Sequence, residues 1–273
     1  MDSRDMQVIG LCRFSYLGEG GFQVEHETLE ERAAFLYDPV RMDERFRTLE
    51  AFTLPSIRAQ TDPNFTFVVL IGETFPEVYR KRLEDLLADI PQAVIQARPP
   101  GRHREVMRAT INSVRSDAKD PCLQFRLDDD DAVSVRFVER LRDVAQDCRP
   151  LIRHHANVAF DFNQGWIARP GATGIDALKV TEALWTPALA MSVKHKDDTT
   201  IMNFGHSRMG HVMPVVTMPN ENMFIRGHND FNDSRQVGHV RQFKLSAINL
   251  KTERLFRQEF NVDVDRVQTL FAD

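Results

Sequence analysis

Cysteine is scarce in this chain. Cys12, Cys122 and Cys148 are the only three in 273 residues. They form an odd, scattered set without C-x-x-C spacing, which suits reduced thiols better than a disulfide frame or a zinc site. Long apolar runs are missing too: no stretch approaches the 18 or so residues a membrane-spanning helix needs, and only a peripheral membrane contact stays open. The polar opening M-D-S-R-D-M-Q precedes an apolar run too short for a signal peptide, so the expected localisation is cytoplasmic. Positive charge is not in excess, since 35 Lys and Arg face 40 Asp and Glu for a net charge of −5. That argues against an extended nucleic-acid surface, although it allows a local basic pocket for a diphosphate. The glycines of L-G-E-G-G (residues 17–21) do not make a G-x-G-x-x-G fingerprint, and no H-E-x-x-H pair occurs. A dinucleotide fold and a zinc hydrolase both lose their main support. Neither an internal repeat nor a low-complexity segment is present.

The chain does contain four consecutive carboxylates, Asp128 to Asp131, in the stretch P-C-L-Q-F-R-L-D-D-D-D-A (121–132). The first half of this stretch has strand character, and an amphipathic helix is predicted from Ser134. Alternation puts Gln124, Arg126 and Asp128 on one side of the strand and Phe125 and Leu127 on the other. Adjacent carboxylates repel one another. In a solvated loop the repulsion is cheap, whereas at the end of a buried strand it calls for positive charge or protonation. A divalent cation is one answer: oxygen donors suit Mg²⁺ or Mn²⁺, often shared between one or two carboxylates and substrate phosphates. A calcium hand fails, because Ala132 and Val133 stand where a ligand and a glycine are needed.

Around this stretch the pattern is that of an α/β protein. A first strand is expected over 7–16, helices over 27–36 and 39–52, and a strand over 65–71 whose continuous apolar character fits a central parallel strand. A helix over 76–90 and a strand over 93–97 complete a βαβ unit. A further helix from Gly101 to about Ala118 carries Arg104, Arg108, Asn112 and Arg115. These arginines either meet a diphosphate or the aspartates, or form a solvated helix face. After a helix over 135–148 the style changes: strands are expected over 151–155 and 157–162, a turn at 163–165, and another strand over 188–193. Ligands of such sheets gather beyond the carboxyl ends of the strands, which makes Arg13 and Phe14 candidates to contact a nucleotide, with core packing as the alternative for Phe14.

The segments L-C-R-F-S (11–15) and R-L-D-D-D-D-A (126–132) resemble a bacterial family of rhamnosyl transferases, and the acidic run resembles the Asp-x-Asp signature of GT-A nucleotide-sugar glycosyltransferases. The resemblance spans about residues 6 to 235. It implies a GT-A-like α/β fold with a mostly parallel central sheet and helices on both faces. The nucleotide-binding half would cover about 1–133 and the acceptor half about 134–235, with a helical extension over 236–273. It also implies transfer of a sugar, with inversion, from a dTDP-rhamnose-like donor to an unknown hydroxyl acceptor. Asp128 and Asp130 would hold Mg²⁺ or Mn²⁺, with a late-loop histidine, first His228 and then His206. Arg13, Phe14, Arg108, Asn112, Arg126, Asp129 and Asp131 would contact the donor. Asp161, Asp230 and Asp233 are the candidate bases for an inverting transfer. A nucleotidyltransferase, a metal-dependent phosphohydrolase and a non-catalytic binding protein of the same fold remain open.

Overall fold

A computed structural model of the protein describes residues 6–20, 26–229 and 243–272. Its first half contains strands β1 (Val8–Arg13), β2 (Thr66–Gly72), β3 (Ala93–Arg98) and β4 (Cys122–Arg126). Helices α1 (Leu29–Leu36), α2 (Pro39–Thr48), α3 (Leu54–Arg58), α4 (Glu77–Leu87) and α5 (His103–Ser113) lie between them. The second half continues with β5 (Ala132–Val133), α6 (Phe137–Asp147), α7 (Arg149–His154), β6 (Asn157–Gly171), β7 (Gly174–Thr181), β8 (Leu189–Val193) and β9 (Val215–Gly227). It closes with β10 (Ser246–Ala247), α8 (Leu250–Phe260) and α9 (Val264–Leu270).

The described strands form one sheet in the order β10-β7-β6-β8-β4-β1-β2-β3, with β9 paired to both β6 and β5. The four strands of the first half, β3-β2-β1-β4, are mutually parallel. β8 then runs antiparallel to β4 and to β6. Both faces of β1 and β2 are buried, which explains why these strands are almost wholly apolar. Phe67, Val69 and Ile71 of β2 join a core with α2, α4 and α6, while Val68 and Leu70 face a second core with Met107 and Ile111 of α5. Gly10 is required by packing: a Cβ there would collide with the ring of Phe125 on the neighbouring strand.

The second half departs from expectation in three places. Residues 151–154 close helix α7, because Pro150 at its first turn starts a helix that Ile152 anchors in the core. The turn expected at 163–165 is a bulge instead: β6 runs on to Gly171 and absorbs register shifts against β9 between Phe162 and Gly165. The chain reverses at Gly171–Gly174, where Gly174 adopts φ +121°. Finally, the long strand β9 did not stand out in the sequence, and it delivers residues 224–227 beside the acidic run. The C-terminal helices pack on the body: Phe256, Phe260 and Val267 share a core with Phe52, Ala132 and Ile225.

Candidate active site

The acidic run leaves the carboxyl end of β4, next to the carboxyl end of β1, and turns at once into β5. A helical rod made of α2, a π-helical turn (Leu49–Thr53) and α3 lies along it. Pro55 has no N–H to give to the preceding turn, so the ladder around it is irregular, and the π turn adds a residue there. Four side chains of the rod and of the residues just after it then address the acidic segment in order. Arg45 donates through Nε to Asp129 Oδ2 (2.8 Å) and pairs through Nη2 with Oδ1. Thr53 Oγ1 donates to the carbonyl of Asp131 (2.8 Å), Ser56 Oγ accepts from Val133 N (3.4 Å), and Gln60 donates to Ser134 O (2.8 Å) and accepts from Val138 N (3.0 Å).

The four aspartates therefore have different environments. Asp129 is fully buried and is held by Arg45. Asp130 accepts from Asn229 Nδ2 (3.0 Å), with Arg45 Nη1 at 3.8 Å. Asp131 accepts the N–H of Gly227 (2.9 Å). Asp128 keeps 37 % of its side chain exposed, with Arg126 at 4.0 Å. Gly227 is required for this approach, since a Cβ would collide with the carbonyl of Asp130.

A small cleft of about 100 Å³ opens here, lined by Asp128, Asp130 and Asp131, by Arg13, Arg45, Arg126 and Arg226, and by Thr186, His206 and Gly227. Burial pushes the Asp128 carboxyl up, but the guanidiniums of Arg126, Arg13, Arg45 and Arg226 together hold it below the usual carboxylate value. Asp131 goes the other way. Burial, then the charges of Asp130 and Asp128, push it well above the usual value. The cleft thus contains one carboxylate held ionised and one pushed toward the protonated acid.

Two histidines are fixed by their partners. Arg13 Nη1 donates to His103 Nε2 (2.9 Å), and a guanidinium can only donate, so that nitrogen is bare. His206 Nδ1 donates to the carbonyl of Leu184 (2.6 Å), which leaves its Nε2 with the lone pair. Burial lowers the pKa of His206 and favours the neutral ring. Asp161 stands behind this arrangement. It is buried, one oxygen accepts from Leu184 N (2.9 Å), and the other accepts from Thr217 Oγ1 (3.1 Å). One oxygen is committed to the loop that holds His206 and the other to β9.

The other candidate residues are placed as follows. Arg13 and Arg126 line the cleft. Phe14 lies in the core, edge-on to Phe46 at 4.9 Å, because alternation along β1 puts it on the helix-covered face. Arg108 pairs with Asp198 (3.4 Å) and Asn112 donates to the Asp198 carbonyl (2.7 Å), so both hold a loop outside the cleft lining. His228 follows Gly227 but lies outside that lining, and its N–H goes to Ala168 O (2.9 Å). Asp230 and Asp233 fall outside the described residues. Arg45 and Arg226 were missed by sequence reasoning. Arg226 stacks over Trp185 at 4.5 Å, and neither pairing leaves a trace in local sequence.

Four parallel strands, of which β4 runs into the acidic segment, with antiparallel strands beyond, define an α/β protein whose cleft lies at the carboxyl ends of its parallel strands. The chain belongs to the family described as "Putative rhamnosyl transferase", whose family model matches residues 7–241. Among solved structures, S. aureus TarS 1–349 is similar in chain path at 7 % identity, with 81 % of this chain and 60 % of that chain covered and a TM-score of 0.41. The same protein in complex with UDP gives 7 %, 82 %, 61 % and 0.44. The chain therefore spans about three fifths of TarS 1–349. The curated proteins include no match.

Proposed function

We propose that this protein transfers a sugar, of rhamnose type, from a nucleoside diphosphate to an acceptor hydroxyl with inversion. The observation that carries this reading is Asp128: a part-exposed carboxylate, held ionised in a cleft at the carboxyl ends of β1 and β4, among the guanidiniums of Arg13, Arg126 and Arg226. Those cations match the two phosphates of the donor.

The donor set also suits a hard cation. Asp128 and Asp130 offer carboxylate oxygens on one cleft, as Mg²⁺ or Mn²⁺ prefers. Among the described residues no group of three His, Cys, Asp or Glu side chains is arranged to hold a metal ion, so diphosphate oxygens would have to complete the shell. When bound, such an ion neutralises charge that develops on the leaving diphosphate. Arg13, Arg126 and Arg226 act on the same charge from fixed positions. Asp131 lines the same cleft and is assigned to the hydroxyls of the donor. Asp129 does not touch the substrate; it locks Arg45 and so the acidic run.

In the transfer, the acceptor oxygen bonds the anomeric carbon, the bond to the diphosphate breaks with its electron pair leaving on the phosphate, and the acceptor proton goes to a base. Asp161 is committed to Leu184 and Thr217, so the proposal moves to Asp230, Asp233 and His206. His206 lines the cleft with a bare Nε2. Incubation with dTDP- and UDP-sugars, with Mn²⁺ and with chelator, followed by product analysis, tests the reading. Transferred sugar plus nucleoside diphosphate supports it. Pyrophosphate release, or free sugar alone, points to a nucleotidyltransferase or a hydrolase, and absence of any nucleotide binding points to a non-catalytic protein.

A further inference from the structure

A second concavity lies at the opposite end of the parallel strands. It measures about 930 Å³ and is lined by Lys119, Arg149, Arg153, Lys194, His195 and Lys196 over Met6, Pro121 and Ile152. Pro121 precedes β4 and Met6 precedes β1, whereas the acidic cleft lies beyond the far ends of these strands. Seven residue steps separate Met6 from Arg13, roughly 23 Å at about 3.3 Å per residue. The two sites are therefore separate.

The charge of this groove is one-sided. Among the described residues no carboxylate lines it, in a chain whose net charge is −5. Lys119, Arg153, His195 and Lys196 are exposed, and among the described residues none of the five Lys and Arg side chains makes an ion pair. Lys194 spends its ammonium on the carbonyl of Arg153 (2.9 Å). Beneath the cationic rim, Met6 and Ile152 are buried apolar side chains and Pro121 is half-buried. A nucleic-acid strand would want aromatic stacking platforms, and the groove has no Phe, Tyr or Trp. A free small anion would make no use of the apolar side chains of Met6, Pro121 and Ile152. An amphiphile with a phosphate head and an apolar body uses both features.

We infer that this groove docks the protein on a surface of anionic phospholipid, with the acidic cleft turned away from the bilayer. Each Lys or Arg close to an anionic leaflet strengthens partitioning about fivefold, an effect confined to about a Debye length of the surface. The triple variant Lys119→Gln, Arg153→Gln, Lys196→Gln removes three exposed charges whose side chains have no hydrogen-bond or ion-pair partner among the described residues.

Flotation of the full chain with phosphatidylcholine vesicles, with and without phosphatidylglycerol, tests the inference. The expected result is binding to the anionic vesicles only, weakened on raising salt from roughly 0.1 to 0.5 M, and weakened roughly a hundredfold in the triple variant. Melting temperature and nucleoside-diphosphate binding should be unchanged in that variant, which separates this site from the cleft. Equal binding to neutral and anionic vesicles, binding to neither, or full retention by the triple variant overturns it. Tighter capture of a single-stranded oligonucleotide than of anionic vesicles also overturns it.

Discussion

Arg45 holds both carboxylate oxygens of Asp129 from 84 positions earlier in the chain, and neither side chain is more than 4 % exposed. This buried pair ties the helical rod to the acidic run and fixes where the remaining three aspartates point. Removing one partner leaves a charge in a low-dielectric interior, which costs about 3–5 kcal/mol. Arg45→Met and Asp129→Leu should each destabilise the protein by that order, and the double variant by less than the sum. Urea unfolding of all four forms measures the coupling. Additive losses would mean the pair does not act as a unit.

Asp128→Asn is the cleanest probe of the chemistry. The side chain is part-exposed, which screens its attraction to Arg126, Arg13, Arg45 and Arg226, so unfolding free energy should fall by no more than about 1 kcal/mol. Sugar transfer should fall by about a hundredfold or more if that oxygen serves the diphosphate end of the donor. Near-normal turnover would remove Asp128 from the proposed site.

His206→Gln keeps a hydrogen-bonding side chain and removes the bare imidazole nitrogen. Loss of a general base costs about 10²–10⁴ in rate. Under the proposed reaction kcat should fall while donor binding, followed by calorimetry, holds. An unchanged kcat would assign proton removal to Asp230 or Asp233.

His103 gives a pH signature. Burial, then the charges of Arg13 and Arg126, lower its pKa from 6.5 to about 4. Between those values the unfolded chain takes up a proton that the folded chain refuses, so this group makes stability rise with pH over that window. Its contribution is complete above about pH 6.5 and is lost on acidification toward pH 4. His103→Gln should flatten that part of the profile in denaturation series at fixed pH. A profile identical to the parent would show that the imidazole is not held neutral by Arg13.

Gly227→Ala forces a methyl against the carbonyl of Asp130. Overpacking of this kind costs about 1–3 kcal/mol. The shift should also loosen the hydrogen bond from Gly227 N to Asp131 and weaken nucleotide binding. Thermal unfolding and calorimetry read the two effects separately, and a variant with parental values in both would show that the strand end can yield.

Sequence alone determined the parallel half of the fold and the position of the acidic run, because these rest on local patterns. Continuous apolar strands, amphipathic helices and four adjacent carboxylates are visible within windows of a few residues. The position of Arg13 at the carboxyl end of β1 and the alternation along β4 that sets Arg126 beside Asp128 were also local, and both arginines line the cleft. Tertiary structure decided what each aspartate does. Their different contacts come from Arg45, Asn229 and Gly227, which are brought to the run from 84, 99 and 96 positions away. The bulged β6 and the return of β9 were likewise settled by partners across the sheet. A local pattern records which face of an element is apolar. It does not record which distant charge will come to rest against that element, because closing such loops depends on the packing of the whole chain.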